Sequence, residues 1–359
     1  MAHPRRVGVL TFHRCINYGS YWQARRLVEG LRARGLDTVL MDHQSGRVDR
    51  AEWKCALNPL LPARTRRDDL PAYARKARKF FRRFAELPLS PAFPLESPAD
   101  AEAFDIVVVG SDEVWNLRHP WYAGASVFFG DGLRAERVVS YAASFGNHDA
   151  ADRLDGYWAE KLKRFSAIAV RDENSRRLVQ DALQLDPPLV LDPCLQFAPA
   201  DADADADAGG SAGGSVLIYG HSFEPWFAAA VRAAAERHGV RLLSIGYRND
   251  WADDQWLDAG PDEFAQAMAG AHAVVTNFFH GCVFGLINGK PLLATPSAYR
   301  RNKVLALAQT LGAERHLAGE ATAAERYAEL LVEPPDRGVQ ARLAALRRAS
   351  DAYLDHALA

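Results

Sequence analysis

A histidine followed by a glycine stands at the end of an apolar run in the second half of the chain. Residues 273–292 read AVVTNFFHGCVFGLINGKPL, which predicts a buried strand, a bend at His280, a short apolar helix and a second strand. In open α/β sheets ligands bind at the carboxyl ends of the strands, and the start of a helix attracts anions. A lone histidine often has only a structural role, but His280 lies at a strand-to-helix bend and histidine titrates near neutral pH. We therefore predict that His280 is catalytic and that Asn277 and Gly281 contact an anionic ligand.

Two carboxylates follow a predicted apolar strand in the first half of the chain. The strand leads into GSDEVWN at residues 110–116. Asp112 can cap a following helix, but a carboxylate at a strand end can also act as a general base or bind sugar hydroxyls. Both interpretations remain open for Asp112 and Glu113. The ligand-contact candidates in this segment are Ser111 and Trp115.

The loop after the first predicted strand carries polar and aromatic side chains. Residues 17–23 read NYGSYWQ, at the position of the usual ligand loop of a doubly wound lobe. The loop has one glycine and therefore lacks the dinucleotide-binding pattern. Its aromatic rings could stack on a sugar or pack in the core, and the position favours ligand contact. The candidates are Asn17, Tyr18, Gly19 and Ser20.

Several cationic side chains could surround an anion. Arg171 ends a predicted strand, and a guanidinium binds phosphate or carboxylate through two parallel hydrogen bonds. A salt bridge to Asp172 or Glu173, directly behind it, is the equally favoured alternative. Residues 300–303, RRNK, follow another predicted strand and add the candidates Arg301 and Lys303.

A basic run at residues 64–83 interleaves arginine and lysine with aromatic residues at helical spacing. We expect a solvated helix face. Contact with an anionic membrane surface or a lipid-linked substrate is the less favoured alternative.

Short apolar runs alternate with helical stretches through most of the chain. Apolar residues on both faces are typical of parallel strands covered by helices. We therefore predict an α/β fold with two doubly wound Rossmann-like lobes and a ligand cleft between facing strand ends. The predicted strands are residues 7–12, 38–42, 105–110, 138–142, 167–171, 189–192, 216–220, 241–245, 273–276 and 292–294.

The predicted domains are an N-terminal lobe over residues 1–198, a C-terminal lobe over 216–325 and C-terminal helices over 326–359. Residues 199–215 are predicted to be a flexible linker, because DADADADAGGSAGG at 201–214 has no apolar residue larger than alanine. Calcium binding by these aspartates is a poor alternative, since the glycine turn and terminal glutamate of known calcium loops are missing.

Composition excludes several classes of protein. A net charge of −2 over 359 residues argues against nucleic acid as a partner. The four scattered cysteines lack metal-ligand spacing, so we expect reduced thiols and neither disulfides nor a metal site. No run approaches the roughly 20 apolar residues of a spanning helix. We expect a cytoplasmic protein, with peripheral membrane contact as the alternative, and the sequence indicates no oligomeric state.

Taken together, and in their order along the chain, these segments resemble the motifs of the polysaccharide pyruvyl transferase family. Each match is weak alone, but the ordered set across residues 7–315 is specific. The matching segments are NYG at 17–19, FD at 104–105, GSDEVWN at 110–116, SYAASFG at 140–146, VR at 170–171 with Ser175, LDP at 191–193, TNFFHG at 276–281, GKP at 289–291 and a helix over 303–315.

The resemblance implies a fold similar to two-lobed, GT-B-like glycosyltransferases. It also implies transfer of a pyruvyl group from phosphoenolpyruvate to two hydroxyls of one sugar, which forms a cyclic ketal on a cell-surface polysaccharide or its lipid-linked precursor and releases phosphate. Phosphoenolpyruvate would be the donor substrate, and no cofactor or metal is required. The N-terminal lobe would take the acceptor and the C-terminal lobe the donor.

The resemblance also implies roles for the candidate residues. His280 would be the catalytic or donor-contacting histidine. The chemistry that such a transfer needs then makes His280 the general acid and Asp112 or Glu113 the base or a sugar ligand. The donor-binding residues would be Arg171, Asn277, Gly281, Arg301 and Lys303. The acceptor-binding residues would be Asn17, Tyr18, Gly19, Ser20, Ser111 and Trp115. The chain departs from the family at Phe278, where some members have arginine, and at Lys303, where many have arginine.

Two other functions remain open. A nucleotide-sugar glycosyltransferase is compatible with the lobe pattern, but it typically needs a carboxylate on the helix after the histidine motif, and residues 281–290 contain none. A catalytically silent glycan-binding relative is the second alternative.

Overall fold

Two parallel sheets organise the chain, each in its own unit. The computed structural model describes residues 5–60, 63–198, 214–297 and 300–359. The first unit comprises Met1–Glu52, Phe84–Phe197 and Ala344–Ala359, and the second comprises Trp53–Arg83 and Ala198–Leu343. The predicted domain boundaries differ from this division, because residues 53–83 belong with the second unit and the end of the last helix belongs with the first.

The first unit is built on a four-stranded parallel sheet with the order β2-β1-β5-β6. Val7 to Leu10 of β1 lie opposite Ile106 to Val109 of β5, and both strands are buried, as apolar runs on both faces predict. The strands of this sheet are β1 (Arg6–Leu10), β2 (Asp37–Leu40), β5 (Phe104–Val109) and β6 (Ala135–Ser140). The short strands β3 (His43–Gln44) and β4 (Phe93–Pro94) pair with each other in a separate two-stranded sheet. The predicted strands at 167–171 and 189–192 are present as isolated bridges, such as Val170 with Leu189.

Polar side chains cap the helices that follow the strands of the first unit. Asn17 accepts a hydrogen bond from the Ser20 N–H at the start of α1, and Asp172 accepts one from the Ser175 N–H at the start of α5. These caps satisfy N–H groups that the helix itself leaves without a partner. The helices in this part of the chain are α1 (Tyr18–Ala33), α2 (Gly46–Leu57), α3 (Leu70–Ala85), α4 (Gly156–Leu162), α5 (Glu173–Leu183) and α6 (Pro193–Gln196).

The second unit is built on a five-stranded parallel sheet with the order β11-β10-β7-β8-β9. Its strands are β7 (Val216–Tyr219), β8 (Leu242–Ile245), β9 (Asp254–Trp256), β10 (Ala273–Thr276) and β11 (Leu292–Ala294). Its helices, the last of which continues into the first unit, are α7 (Pro225–His238), α8 (Pro261–Gly270), α9 (Phe279–Ile287), α10 (Arg301–Leu311), α11 (Ala324–Leu330) and α12 (Arg337–Leu358).

Cations of helix α3 form ion pairs with carboxylates of the second unit. Arg75 pairs with Asp258 at 2.8 Å and Lys79 pairs with Glu263 at 2.7 Å, while Arg83 pairs with Asp262. Tyr73, Lys76 and Phe80 of the same helix are buried. The basic run is therefore an amphipathic packing element, with some of its cations, such as Arg78, still exposed.

Two further predictions concern membranes and the linker. None of the described helices combines the length and the apolar character that crossing a bilayer requires. The predicted linker falls mostly on residues 199–213, which lie outside the described residues.

Candidate active site

Each sheet has a topological switch point, where the strand order along the sheet reverses. In the first unit β1 lies between β2 and β5, and in the second unit β7 lies between β8 and β10. Successive connections leave the central strand to opposite sides, which opens a crevice at the strand ends where α/β proteins bind ligands. The polar residues that follow β1, β5, β7 and β10 are therefore the candidates to consider.

Asp112 is the centre of the polar group in the first unit. Its Oδ2 accepts a hydrogen bond from the Ser20 hydroxyl at 3.0 Å, and its Oδ1 lies 3.6 Å from Nη2 of Arg171. Asp112 has a positive φ of 71°, a conformation that aspartate tolerates better than most residues. The structure thus brings together Ser20, Asp112 and Arg171, three residues predicted separately from the sequence.

Arg171 is engaged with carboxylates of its own unit. Its Nη1 lies 2.9 Å from Oδ2 of Asp192, and its side chain is only 4% exposed. Burial alone would lower the pKa of this guanidinium, but Asp112 and Asp192 outweigh that effect and raise it. Arg171 therefore carries a fixed positive charge that positions Asp112.

Ser111 and Glu113, on either side of Asp112, are also held in place. The Ser111 hydroxyl donates to Oε1 of Gln23 at 2.8 Å. Glu113 accepts a hydrogen bond from the Asn116 amide at 2.8 Å. A side chain at Gly146 would meet the Glu113 carboxylate at 2.0 Å, so only glycine allows this close approach.

The two predicted aromatic ligand contacts lie in the core of the first unit. Trp115 is 0% exposed, and its indole N–H donates to the Phe128 carbonyl at 2.7 Å. Tyr18 is also 0% exposed. These positions favour a packing role for both rings, an alternative that the sequence left open for Tyr18 but did not raise for Trp115. Gly19 is buried beside them, and Asn17 is half-buried as the cap of α1.

A second polar cluster in the first unit was not predicted from the sequence. His13 lies 2.9 Å from Oδ1 of Asp42, and Arg14 binds both oxygens of the same carboxylate at 2.6 and 2.7 Å. Burial opposes ionisation of Asp42, but these hydrogen bonds outweigh it and hold its pKa well below the usual range. Burial, reinforced by the His13 charge, lowers the pKa of His43 to about 3.

In the second unit, α9 starts close to the end of β10 and carries His280 in its first turn. The Thr276 hydroxyl donates to the Tyr219 carbonyl at 2.6 Å and accepts from the Phe278 N–H at 3.0 Å. A side chain at Gly281 would meet this hydroxyl at 2.0 Å. Glycine is therefore required for α9 to approach the strand and to hold His280, which is half-buried, at the strand edge.

Asn277 joins the ends of β7 and β10. Its side-chain amide donates to the His221 carbonyl at 2.8 Å, and the residue is 1% exposed. A side chain at Gly220, which has a φ of 155°, would meet Oδ1 of Asn277 at 2.3 Å. Asn277 thus fixes the two strand ends at the switch point of this sheet.

The cations predicted near α9 differ in placement. Arg301 is exposed and Lys303 is half-buried, both in the first turn of α10. The neighbouring Arg300 stacks its guanidinium 4.2 Å from the centre of the Phe278 ring. Its Nη2 lies 3.4 Å from Nε2 of His221.

Lys76 joins this group from helix α3. Its Nζ donates to the Gly246 carbonyl at 3.0 Å and lies 4.6 Å from the centre of the Tyr247 ring. A signal for Lys76 existed in the sequence, since its spacing places it on the apolar face with Tyr73 and Phe80. Its partners follow some 170 residues later, which no local pattern could indicate.

The family model described as polysaccharide pyruvyl transferase matches residues 17–314. The chain belongs to the polysaccharide pyruvyl transferase family. The match takes in both strand-end groups, from Asn17 to Lys303, and it confirms the family predicted from the sequence. Membership supports a transferase activity with a polysaccharide acceptor. A search of curated protein sequences finds no match.

Solved structures are similar to this chain at low sequence identity. The Methanocaldococcus jannaschii UDP-GlcNAc 2-epimerase in complex with UDP-GlcNAc and UDP is 11% identical, with 96% of this chain and 99% of that chain covered and a TM-score of 0.50. The S. aureus MnaA–UDP structure is 9% identical, with 94% and 90% covered and a TM-score of 0.46. AviGT4, a glycosyltransferase involved in avilamycin A biosynthesis, is 13% identical, with 99% and 97% covered and a TM-score of 0.43. The predicted α/β fold with two Rossmann-like lobes is confirmed.

Proposed function

We propose that this protein transfers a pyruvyl group from phosphoenolpyruvate to two hydroxyls of one sugar, in a cell-surface polysaccharide or its lipid-linked precursor. The product is a cyclic ketal, and phosphate is released. The family match over residues 17–314, which contains both His280 and Arg171, is the observation that carries the proposal.

The donor carries a phosphate and a carboxylate, so its site needs cations and N–H donors. In the second unit the first turn of α9 at Gly281 supplies backbone N–H groups, and Lys303 supplies a half-buried ammonium. The guanidinium of Arg171, which the sequence predicts as a donor contact, pairs with Asp112 and Asp192 within the first unit. Arg301 is exposed, which suits a weaker contribution through its long-range charge.

The proposed reaction begins with a proton transfer from the imidazolium of His280 to the methylene carbon of phosphoenolpyruvate. Positive charge then develops at the adjacent carbon, and the oxygen of a sugar hydroxyl bonds to that carbon. The bond to the phosphate oxygen breaks, and phosphate leaves with the electron pair. A second hydroxyl of the same sugar adds to the same carbon and closes the ketal. Each hydroxyl gives up its proton: one restores the imidazolium, and the other is taken up by the released phosphate.

Asp112 is the better placed of the two candidate bases. Its Oδ2 accepts a hydrogen bond from a hydroxyl, that of Ser20, which is the contact that a sugar hydroxyl would make. Glu113 instead accepts from an amide within its own turn. Ser20 and Ser111 are the proposed acceptor contacts beside it, with Asn17 and Gly19 shaping the loop.

Ligand-induced stabilisation tests the donor. We expect phosphoenolpyruvate to raise the unfolding temperature in a concentration-dependent way, and nucleotide sugars to leave it unchanged. The His280→Ala variant should remain folded and should release phosphate from phosphoenolpyruvate at least about 100-fold more slowly in the presence of an acceptor. His356→Ala, at an exposed position in α12, is the matched control. Stabilisation by nucleotide sugars alone would favour a glycosyltransferase instead.

A further inference from the structure

We infer that the second unit contains an anion-binding site in which Lys76 and Arg300 are the principal cations, at the carboxyl ends of β7 and β10. The ligand class is a small phosphate- or carboxylate-bearing metabolite. The identification of this ligand as phosphoenolpyruvate rests on the proposed function, whereas the site itself follows from the contacts within the unit.

Arg300 is held in an orientation suited to anion recognition. Its guanidinium lies over the face of Phe278, 4.2 Å from the ring centre, and within 3.4 Å of the His221 imidazole. A guanidinium that stacks on an aromatic ring keeps its N–H groups in one plane, which matches the geometry of a carboxylate or phosphate. Phe278 is the second residue after the end of β10 and is itself 7% exposed, so the platform is fixed.

Lys76 brings a second cation to the same place from a distant part of the chain. It is 4% exposed, its hydrogen bond to the Gly246 carbonyl is to a neutral acceptor, and Gly246 follows β8 directly. Burial lowers the pKa of Lys76 to about 7. A lysine is rarely buried unless its environment or its ligand makes use of the charge, and a bound anion would favour the charged form.

His221 shows that the two cations act on one point. The centre of its ring lies 5.1 Å from that of Tyr247, the ring that Lys76 contacts, and 5.3 Å from that of Phe278, the ring on which Arg300 stacks. Burial lowers the pKa of His221 to about 4, and the charges of Arg300 and Lys76 contribute to this shift. The imidazole is therefore neutral at pH 7, and the Arg300 guanidinium and the charged form of Lys76 both act on it. An anion placed there would relieve their mutual repulsion.

The wall of this site is rigid. Asn277 donates to the His221 carbonyl at 2.8 Å, and the Asn249 amide donates to the Gly220 carbonyl at 2.9 Å. The nine-residue helix α9 starts beside it and presents backbone N–H groups, which adds favourable electrostatic potential for an anion. The site thus combines two cations, a helix start and an aromatic platform at a topological switch point.

Isothermal titration of the full-length protein with phosphoenolpyruvate, and separately with inorganic phosphate, tests the inference. Lys76→Met and Arg300→Gln should each weaken binding of both probes about tenfold or more, since each removes a charge-assisted contact. Arg78→Gln, at an exposed position two residues along α3, should bind both probes like the unmodified protein.

Unfolding temperatures without ligand separate binding from folding. Lys76→Met should unfold at the same temperature or a higher one, because an apolar side chain replaces a buried cation, yet the stabilisation by phosphoenolpyruvate should be lost. A merely structural lysine would give the reverse result, with a lower unfolding temperature and an unchanged ligand-induced rise, and this would overturn the inference. Arg300→Gln, which changes a half-buried side chain, provides the test independently of any folding defect at Lys76.

The same experiment distinguishes this inference from the proposed function. Phosphate binding that depends on Lys76 and Arg300 supports the site even if no pyruvyl ketal is ever formed. Turnover of phosphoenolpyruvate with an unchanged KM in both variants overturns the site and leaves the proposed function intact.

Discussion

Glu52 is a buried carboxyl beside the loop that carries Asn17. Its Oε2 accepts a hydrogen bond from the Ile16 N–H at 3.2 Å, and the residue is 8% exposed. Burial raises the pKa of Glu52 to about 7, and its hydrogen bonds with Cys15 and Ile16 only partly oppose that rise. The carboxyl therefore changes charge inside the first unit near neutral pH.

Replacement of Glu52 by glutamine should remove a pH dependence of stability. The folded-state pKa exceeds the ordinary value of 4.5, so the folded protein binds more protons between pH 4.5 and 7 and loses stability as the pH rises through that window. Relative to Glu52→Gln, the unmodified protein should lose on the order of 3 kcal/mol of its free energy of unfolding between pH 4 and pH 8. Urea unfolding at both pH values measures this difference, and identical pH profiles would contradict it.

Asp112 and Glu113 should differ in their contributions to catalysis. Asp112→Asn should lower kcat about 100-fold, because the base is lost, whereas Glu113→Gln should lower it less than about tenfold. Steady-state phosphate release with an acceptor gives both values, and unfolding temperatures establish that each variant is folded. A larger loss for Glu113→Gln would move the base to that residue.

Local sequence identified the strand-end residues but not their partners. His280, Asp112 and Arg171 each follow an apolar run, so the sequence alone predicts that they lie at strand ends. Lys76 and His221 were not predicted, because their importance depends on aromatic rings far away in the chain. Likewise, tryptophan is a residue type that can stack on a sugar, and only the phenylalanines around Trp115 show that it packs in the core.

Helix α9 depends on glycine at its third residue. Gly281→Ala would bring a methyl group to 2.0 Å from the Thr276 hydroxyl, so the helix must shift or the threonine must lose its contacts. We expect a loss of roughly 2–3 kcal/mol in the free energy of unfolding and a marked loss of activity as His280 moves.

Gly270→Ala is the matched control for this variant. Gly270 ends α8 in the same unit, and a methyl group added to it would meet none of the described residues within 4 Å. Alanine there should leave stability unchanged or raise it slightly. Equal unfolding free energies for the two variants, measured in urea, would show that the close approach of α9 to β10 is not required.

Most elements could be predicted from hydrophobic pattern, and the exceptions have physical reasons. β10 (Ala273–Thr276) and β11 (Leu292–Ala294) match the predicted ranges because both are uninterrupted apolar runs. β9 (Asp254–Trp256) was not predicted, since it is an edge strand with exposed and half-buried residues. The apolar run at 167–171 forms only bridges, because apolar composition does not determine how long a pairing continues.

At the scale of the whole molecule, the chain crosses between the two units more often than its sequence suggests. Residues 53–83 belong to the second unit, although more than 100 residues of the first unit separate them from the rest of it. Asp69 anchors this segment: it binds Nε and Nη2 of Arg248 at 2.5 and 2.6 Å and is 4% exposed. A contact at this separation in sequence leaves no local signal.

Asp69→Asn should destabilise the second unit selectively. The substitution removes the negative charge that faces Arg248 and should cost roughly 2 kcal/mol. Amide hydrogen exchange should accelerate in peptides from residues 53–83 and 214–297 and stay unchanged in peptides from β1 and β5. Asp68→Asn, at the exposed neighbouring position, should change neither set. Uniform acceleration in both units would contradict the division of the chain described above.

The central claim about this protein is that it forms a pyruvyl ketal. Mass spectrometry of glycan and lipid-linked acceptors incubated with the protein and carbon-13-labelled phosphoenolpyruvate tests that claim most directly. We predict an acceptor whose mass increases by one labelled pyruvate minus one water, with phosphate released in equal amount, and no such product with His280→Ala. Transfer of an intact sugar from a nucleotide-sugar donor to the same acceptor panel, with no labelled ketal, would contradict it.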